Sequence, residues 1–354
     1  MRRSLAFREK LLQWHDEEND REMPWKSEQD PYKIWLSEII LQQTRVEQGR
    51  SYYLKFIDKF PTVHDLAEAK QDTVLQMWEG LGYYSRARNL HETAKHISVT
   101  LGGDFPSTYN DLLALKGVGP YTASAIGSFA FGLPTPVVDG NSLRLVMRFE
   151  GNETPINGSQ GKKQVLEFLS EAIPKERTGG FNQALMDFGA TVCKPKSPLC
   201  KDCPLQFKCK AYANNQVHNL PVKHKAKPKT HRYFHFYIVH ENGKLLLEKR
   251  RAEDIWKGLF QFPMLETKNG HPPEISELSK LLNVNANSIS LEFLSHQTQT
   301  LSHRYIHAYF YNCKMKNGRT EKADEMWVAE PKLSDYGFPK VVRAFINKKQ
   351  GTLL

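Results

Sequence analysis

The sequence lacks any run of apolar residues close to the roughly 20 needed to cross a bilayer. Its first ten residues, Met1–Lys10, are charged and have neither the apolar segment nor the small-residue cleavage site of a secretory signal. Internal repeats and low-complexity tracts are also missing, which excludes solenoid and collagen-like classes. We therefore expect a protein that neither spans a membrane nor is secreted.

Cysteine is scarce, with five residues in 354, yet four of the five fall between Cys193 and Cys209. Such crowding is typical of metal ligands in a reducing compartment rather than of a disulfide framework. The spacing is C-x6-C-x2-C-x5-C, with ligands Cys193, Cys200, Cys203 and Cys209. Spacing alone allows either zinc or an iron-sulfur centre. We expect a cytoplasmic protein, or one from an equally reducing organelle interior.

Positive charge is in excess: 49 Lys and Arg against 39 Asp and Glu give a formal net charge of +10. This makes an anionic partner such as nucleic acid plausible, although many soluble proteins are basic. Hydrophobic residues make up 40% of the chain, enough for ordinary buried cores. The length favours two domains.

The pattern of apolar residues changes after the cysteines. From Leu5 to about Phe188 apolar residues recur at helical spacings. A basic, proline-containing stretch follows at 217–232, and beyond it come aromatic and β-branched runs that predict strands at 233–240, 244–250 and 303–315. We predict an all-α domain at 1–216, a linker at 217–230 and an α+β domain at 231–354.

Short sequence signals also predict turns and helices in the second domain. Asn242-Gly243 and Asn317-Gly318 predict turns between strands, because both dipeptides favour tight hairpins. Helices are predicted at Ser276–Leu282 and Pro339–Lys348.

A hairpin between two helical segments is predicted within Leu112–Ala130, LLALKGVGPYTASAIGSFA. Gly117 and Gly119 permit a tight turn with free backbone N–H groups, and Pro120 suits the first position of the next helix. A loop of this kind can seat a phosphate without any side chain, as helix-hairpin-helix motifs do. A plain turn between packed helices is the alternative.

Two acidic residues stand in suggestive surroundings. Glu38 lies between Ile34 and Leu41 in the predicted helix 30–46, next to Ile39, and an apolar setting raises the pKa of a carboxyl group. Asp139, in TPVVDGNSLR, is placed as an N-cap that would keep it ionised. A protonated Glu facing an ionised Asp can cleave a glycosidic bond. The alternatives are a solvated Glu and a purely structural cap.

Four ordered segments, LSEIILQQTRV, LKGVGPYTA, VVDGNSLRL and the four-cysteine run, resemble the endonuclease III superfamily of DNA glycosylases, and within it the adenine DNA glycosylase (MutY) family. The resemblance covers nearly the whole chain. It implies that Glu38 protonates the adenine leaving group and that Asp139 stabilises the cationic sugar, with Tyr121 and Asn141 supporting the aspartate. It also implies a [4Fe-4S] cluster on the four cysteines.

The same resemblance implies the DNA contacts. Gln43 and Tyr83, the latter in EGLGYYSRARNL, match residues that wedge into the base stack around the flipped nucleotide. Without the motif they would be a surface Gln and a core Tyr. Gly117 and Gly119 match the phosphate-binding hairpin.

Tyr121 separates two branches of the superfamily. Members that also cleave the strand carry a Lys at this position, because an amine is required to form a Schiff base. A monofunctional glycosylase is therefore predicted, and a reactive Lys116, close to the hairpin, would contradict this.

Residues from about 231 resemble the family's C-terminal domain, whose fold is similar to Nudix hydrolases. DIWKGLFQFPMLE looks like the entry to a Nudix box, but the following TKNGHPPEISEL lacks the clustered Glu and Arg residues that hold magnesium. The resemblance implies a module that senses 8-oxoguanine through a Phe-Ser-His motif, here Leu301, Ser302 and His303. Leu301, Lys26 and Lys116 depart from the usual Phe, Arg and Pro.

The leading hypothesis is a monofunctional enzyme that flips and excises adenine opposite 8-oxoguanine or guanine in double-stranded DNA and so initiates base excision repair. In a bacterial source it would associate with the nucleoid, and a monomer is the default assumption. The alternatives are a bifunctional pyrimidine glycosylase, a catalytically silent DNA-binding protein and a nucleotide pyrophosphatase.

Overall fold

The computed structural model describes residues 2–225, 227–251, 253–316 and 325–351. Contacts group the chain into two units: Met1–Glu68 with Glu92–Lys225, and Ala69–His91 with Ala226–Leu354. The short segment 69–91 belongs to the second unit, although the sequence order suggested no such exchange. The boundaries 1–216, 217–230 and 231–354 stay a prediction.

The helical prediction for the N-terminal half is confirmed. The helices are α1 Arg2–Glu17, α2 Pro31–Leu41, α3 Val46–Lys59, α4 Val63–Glu68, α5 Gln71–Met77, α6 Ser85–Lys95, α7 Tyr109–Ala114, α8 Pro120–Phe131, α9 Gly140–Glu150, α10 Ser159–Ala172, α11 Thr178–Thr191 and α12 Lys210–Ala213, with a π-helical turn at His96–Thr100 and a 3₁₀ turn at Gln206–Lys208. None of the helices in the described ranges is both long and apolar enough to cross a membrane.

Helix α2 begins as its sequence predicts. The Asp30 side chain accepts a hydrogen bond from the Tyr32 N–H at 2.9 Å, and Pro31 occupies the first turn. The helix ends at Leu41, earlier than the predicted 46, because Gln43 adopts a left-handed conformation with φ 56°. The predicted single helix 30–46 is therefore wrong at its C-terminal end: a short loop separates α2 from α3.

The core of the first unit lies between α1, α9, α10 and α11. Its buried apolar side chains include Phe7, Trp14, Phe149, Leu169 and Phe188. Edge-to-face ring pairs such as Trp14 with Phe188, at 4.9 Å between centroids, lock these helices together. This packing joins α9 and α11, the helices that carry Asp139 at one N-terminus and Met186 in the other, to α1 and α10.

The second unit is built on a mixed sheet flanked by helices. Its elements are β1 Thr230–Glu241, β2 Lys244–Lys249, β3 Phe260–Gln261, β4 Met264–Thr267, α13 Ile275–Leu282, β5 Ile289–Thr300, β6 Arg304–Met315, β7 Glu325–Ala329 and α14 Lys340–Gly351, with 3₁₀ turns at Ala286–Ser288 and Glu330–Asp335. The strand order is β3-β2-β1-β6-β5, with β4 paired to β1 and β7 paired to β2.

The predicted strands and helices of this unit are confirmed as β1, β2, β6, α13 and α14. Asn242 and Gly243 both have positive φ, 47° and 71°, and close the hairpin between β1 and β2. The predicted turn Asn317-Gly318 lies outside the described residues. Strand β5 was not predicted, although its C-terminal half alternates between half-buried and exposed residues.

Candidate active site

A cavity of about 440 Å³ opens in the first unit and is lined by Glu38, Tyr121, Asp139 and Asn141. Four residues predicted from widely separated motifs thus share one cavity. Its volume lies in the range of small-molecule sites, about 300–1,000 Å³. The cavity can therefore accept a small organic molecule or one group of a larger ligand.

Glu38 lies on the buried face of α2, and only 6% of its surface is exposed. Its neighbours along the helix, Ile34, Ile39 and Ile40, are buried too. Burial raises the pKa of Glu38 to about 7, and the nearby negative charge of Asp139 acts in the same direction, whereas a hydrogen bond from Tyr121 opposes it. A large fraction of Glu38 is therefore protonated at neutral pH, as a general acid requires.

The Tyr121 hydroxyl, in the first turn of α8, hydrogen-bonds to Glu38 and lies 3.5 Å from the sulfur of Met186. Its pKa is raised well above its usual value, first by burial and then by the charges of Glu38 and Asp139. It stays a neutral donor at physiological pH. The hydroxyl thus contacts Glu38, and its support of Asp139, which the family resemblance implies, stays a prediction.

Asp139 caps α9, as predicted. Its Oδ1 accepts hydrogen bonds from the backbone N–H groups of Asn141 at 3.0 Å and Ser142 at 2.7 Å, and the Ser142 hydroxyl accepts one from the Asp139 N–H at 2.8 Å. Two N–H donors at a helix N-terminus stabilise a negatively charged carboxylate. Unlike Glu38, Asp139 is only partly buried.

Asn141 is positioned by the buried side chain of Arg144. The Arg144 guanidinium donates to Asn141 Oδ1 at 2.9 Å, to the Gly189 carbonyl at 2.5 Å and to the Cys193 carbonyl at 2.7 Å. A Cβ at Gly189 would lie 2.5 Å from that of Asn141, so the glycine allows α11 to approach α9. Arg144 therefore connects the active site to the start of the cysteine loop.

The predicted hairpin lies between α7 and α8. Gly117 has φ 80°, in the left-handed region that favours glycine, and Gly119 caps α8 ahead of Pro120. The Lys116 ammonium forms an ion pair with Glu92 at 2.6 Å and is solvent-exposed. Lys116 does not line the cavity that holds Glu38 and Asp139.

The four cysteines converge on a small, largely apolar cavity of about 30 Å³, which is also lined by Leu145, Phe149 and Leu205. Burial and the neighbouring thiols raise the pKa of Cys203 to about 12, and those of Cys200 and Cys209 also rise. Among the described residues, no three His, Cys, Asp or Glu side chains are arranged as ligands of a single ion.

The surroundings of these thiols favour an anionic group. The guanidinium of Arg148, only 4% exposed, lies 3.5 Å from the sulfur of Cys193 and donates to the carbonyl oxygens of Lys194 and Pro195. A buried cation beside four thiols suits a metal-thiolate centre that carries net negative charge. The donor set thus fits an iron-sulfur cluster held by four cysteines.

In the second unit the predicted recognition residues occupy the turn between β5 and β6. The Leu301 N–H donates to the Arg304 carbonyl at 2.8 Å, and the Lys229 ammonium donates to the Leu301 carbonyl at 2.9 Å. Ser302 and His303 are exposed, and the Ser302 hydroxyl contacts the hydroxyl of Tyr83. Tyr83 itself is 46% exposed with φ 47°.

Gln43, predicted to wedge into DNA, is exposed in the loop after α2. Sequence reasoning missed Arg144, Arg148 and Asp187, which are charged yet almost completely buried. The signal for the arginines was available: two cations four residues apart interrupt the apolar pattern of α9. No local signal marked Asp187, whose carboxylate accepts hydrogen bonds from Asn19 and Arg21 in the loop after α1.

Comparisons with known proteins agree with this geometry. Residues 36–175 match the HhH-GPD superfamily of base excision DNA repair proteins, and residues 234–348 match the NUDIX domain family. An adenine DNA glycosylase of Buchnera aphidicola (subspecies Schizaphis graminum) is 34% identical over 97% of this chain and 98% of its own. That of Mus musculus is 31% identical over 98% of this chain and 79% of its own.

Solved structures support the fold of the helical part. A thermostable thymine-DNA glycosylase is similar with a TM-score of 0.56 and 29% identity, over 60% of this chain and 98% of that one. A trapped endonuclease III–DNA covalent intermediate has a TM-score of 0.51 at 23% identity, over 59% of this chain and 94% of that one, which supports the fold alone. With near full-length relatives above 30% identity and a carboxylate pair in one cavity, the chain belongs to the adenine DNA glycosylase family of base excision repair enzymes.

Proposed function

We propose that this enzyme is a monofunctional glycosylase that excises adenine paired with 8-oxoguanine or guanine in duplex DNA. The observation that carries the proposal is the shared cavity in which Glu38, with a pKa of about 7, faces the charge of Asp139. A proton donor and a fixed negative charge are the two groups that cleavage of a glycosidic bond requires.

The reaction follows from the positions of the two acids. Glu38 donates its proton to the adenine base while the bond from the base to C1′ breaks and its electron pair leaves with adenine. The Asp139 carboxylate stabilises the positive charge that develops on the sugar. Water then supplies the hydroxyl at C1′, and its proton is available to restore Glu38. Tyr121 holds Glu38 in place, and Asn141 extends from the first turn of the helix that Asp139 caps.

Two features favour a monofunctional enzyme. Tyr121 offers a neutral hydroxyl with a strongly raised pKa where strand-cleaving relatives need an amine. Lys116 is engaged with Glu92 outside the cavity. No step of the proposed reaction needs a covalent enzyme–DNA bond.

The four cysteines are proposed to hold a [4Fe-4S] cluster rather than zinc. The C-x6-C-x2-C-x5-C spacing and the buried Arg148 guanidinium 3.5 Å from the Cys193 sulfur support this choice. The cluster would have a structural role, because the reaction itself transfers no electrons. Lys194, Lys196, Lys201 and Lys208 in the same loop would offer positive charge to the DNA backbone. DNA with the mispaired adenine is the proposed partner, and the chain acts as a monomer.

The loop Leu301–His303 and Tyr83 are proposed to read the base opposite the adenine. Their contact supports a joint role, since the Ser302 hydroxyl meets the Tyr83 hydroxyl. Leu301 can still supply an apolar contact in place of the usual Phe, with less surface for stacking.

Single-turnover base release tests the proposal. Duplexes would carry adenine opposite 8-oxoguanine, adenine opposite guanine, or an oxidised pyrimidine, and wild type would be compared with Asp139→Asn. We expect adenine release, fastest opposite 8-oxoguanine, and a loss of roughly 1,000-fold or more in the variant. The same preparation should contain iron and acid-labile sulfide rather than zinc. Release by Asp139→Asn at the parental rate, or efficient borohydride trapping on DNA, would contradict the mechanism.

A further inference from the structure

The turn at residues 80–83, the Tyr83 turn, has an unusual backbone conformation. Gly80, Gly82 and Tyr83 have positive φ angles of 101°, 71° and 47°. A tyrosine at positive φ is strained, so this conformation persists only when surrounding groups hold it. Part of the support is local: the Trp78 indole N–H and the Arg86 guanidinium donate to the Gly82 carbonyl at 3.0 and 3.3 Å. These contacts lie within the segment and do not by themselves fix it to the rest of the second unit.

Glu79 joins the Tyr83 turn to helix α14 of the same unit. Its Oε1 accepts a hydrogen bond from Arg343 Nε at 2.5 Å, and its Oε2 accepts one from Arg343 Nη2 at 3.0 Å. The same Oε2 accepts the Phe338 N–H at 3.0 Å. A two-point pair between a guanidinium and a carboxylate fixes orientation as well as distance. The Glu79 side chain is only 16% exposed, so water weakens this pair less than a surface pair.

The guanidinium of Arg343 is held by α14 and by the residues that precede it. Its Nη1 donates to the Leu333 carbonyl at 3.2 Å, and its Nη2 donates to the Tyr336 carbonyl at 2.6 Å. It also lies 4.8 Å from the centre of the Phe338 ring. Because these contacts orient the planar group, Arg343 presents a fixed pair of donors to Glu79. The position of the Tyr83 turn thus depends on the position of α14.

Tyr83 and the turn Leu301–His303 line one cavity of the second unit, about 590 Å³ in volume. Its wall is formed largely by residues 80–85 and 299–304. The hydroxyls of Tyr83 and Ser302 are in contact, although the two residues are 219 positions apart in the chain. Their relative placement therefore depends on the contacts that attach segment 69–91 to the second unit.

We propose that Glu79 and Arg343 are positioning residues, whose ion pair fixes the Tyr83 turn against the turn Leu301–His303 so that the two read the base opposite the adenine together. The inference rests on the proposed function, because it assumes that these two turns contact that base. Neither Glu79 nor Arg343 lines the cavity, so both act through Tyr83. A pair that only stabilised the fold would leave the preference between mispairs unchanged.

The experiment is a double-mutant cycle that combines Glu79→Gln with Tyr83→Ala. Single-turnover adenine release is measured on duplexes with adenine opposite 8-oxoguanine and with adenine opposite guanine. We expect Glu79→Gln alone to lower the ratio of the two rates about 3- to 10-fold, because a misplaced Tyr83 loses part of its contact with the opposite base. In the Tyr83→Ala background the same substitution should change the ratio by less than about 2-fold, since the residue through which Glu79 acts is gone.

Amide hydrogen exchange of the full-length protein measures the Tyr83 turn directly and does not need catalysis. Exchange in segment 79–84 should be faster in Glu79→Gln than in wild type, because the turn opens more often without its anchor. Arg343→Lys keeps the positive charge but cannot form the two-point pair, so it should change the exchange and the rate ratio in the same direction. Either variant carries the test if the other does not fold.

The matched control is Asp72→Asn, which removes a carboxylate that pairs with Lys249 of β2 at 2.5 Å. This pair also attaches segment 69–91 to the second unit, but it does so from the first turn of α5, away from the Tyr83 turn. The control should leave both the rate ratio and the exchange in segment 79–84 unchanged.

Three results would overturn the inference: a wild-type rate ratio in Glu79→Gln, an equal fall of the ratio with and without Tyr83, or an equal effect of Asp72→Asn. The first of these, together with a lower melting temperature, would mean that the pair only stabilises the fold. Failure of the proposed function differs from all three, because wild type itself would then release no adenine from either duplex, while hydrogen exchange would still report on the turn.

Discussion

The base cavity of the first unit and the turn Leu301–His303 of the second unit, the recognition turn, have different physical requirements. Glu38, in the cavity, is 6% exposed on a central helix, whereas Tyr83, which contacts the turn through Ser302, is 46% exposed. A proton donor near neutral pH needs burial to disfavour its charged form. A group that reads DNA must reach the duplex, so it lies on exposed loops. Changes in the cavity should therefore alter the rate on every substrate, and changes in the turn should alter the preference between substrates.

The strongest effect is expected from a substitution in the cavity, at Glu38. Replacing it by glutamine removes the proton donor, which should slow release roughly 100- to 10,000-fold on both mispairs. In the wild type the pKa of about 7 predicts a rate that falls above pH 7, approaching tenfold per pH unit, because only the protonated acid is active. Single-turnover rates measured across pH should decline in wild type. In Glu38→Gln they should show no decline caused by ionisation at position 38.

Glu167→Gln is the control, since this acid is 62% exposed on α10 and pairs with Lys163 at 3.9 Å. Its rate and pH profile should match those of wild type. A wild-type rate that stays constant up to about pH 9 would show that Glu38 is not the titrating acid.

The second effect concerns stability. The pKa of Glu38 is raised from 4.5 to about 7 on folding, so between these values the native state binds more protons than the unfolded chain. The free energy of unfolding therefore decreases as pH rises through this window, by about 3 kcal/mol in total. The Glu38→Gln variant has no such titrating group. The difference in free energy of unfolding between the variant and wild type should therefore shift in favour of the variant by about 3 kcal/mol from pH 4 to pH 8.

Urea unfolding of both proteins at a series of pH values measures this difference, and contributions of other groups cancel in it. For the control Glu167→Gln, the difference in free energy of unfolding from wild type should be nearly the same at every pH. A constant difference for Glu38→Gln as well would mean that Glu38 ionises at its ordinary pKa in the folded protein.

The smallest effect is expected in the recognition turn. Ser302→Ala removes one exposed hydroxyl, and a single hydrogen bond contributes about 0.5–1.5 kcal/mol. The ratio of rates opposite 8-oxoguanine and guanine should therefore fall about 2- to 10-fold while the rate opposite guanine changes little. Ser290→Ala, at the exposed start of β5, is the control. Equal slowing on both mispairs would place Ser302 outside discrimination.

Sequence reasoning succeeded where the cause of a structure is local. Asp30 and Asp139 cap helices through N–H groups two or three residues away, and Asn242-Gly243 closes a hairpin with its own backbone angles. Strand β5 was not predicted, because burial alternates only in its C-terminal half and its N-terminal half is mostly exposed. The end of α2 was placed too late because no proline or glycine marks it.

Features that depend only on neighbours in the chain could be predicted from the sequence: the order of the motifs, the helix caps, the glycine hairpin and the spacing of the cysteines. Only the tertiary structure brought Glu38 and Asp139 into one cavity and buried Arg144, Arg148 and Asp187 with their partners. The reason is that desolvation and charge pairing come from helices distant in sequence. The pKa of Glu38 is accordingly a property of the packed helices and not of the segment that carries it.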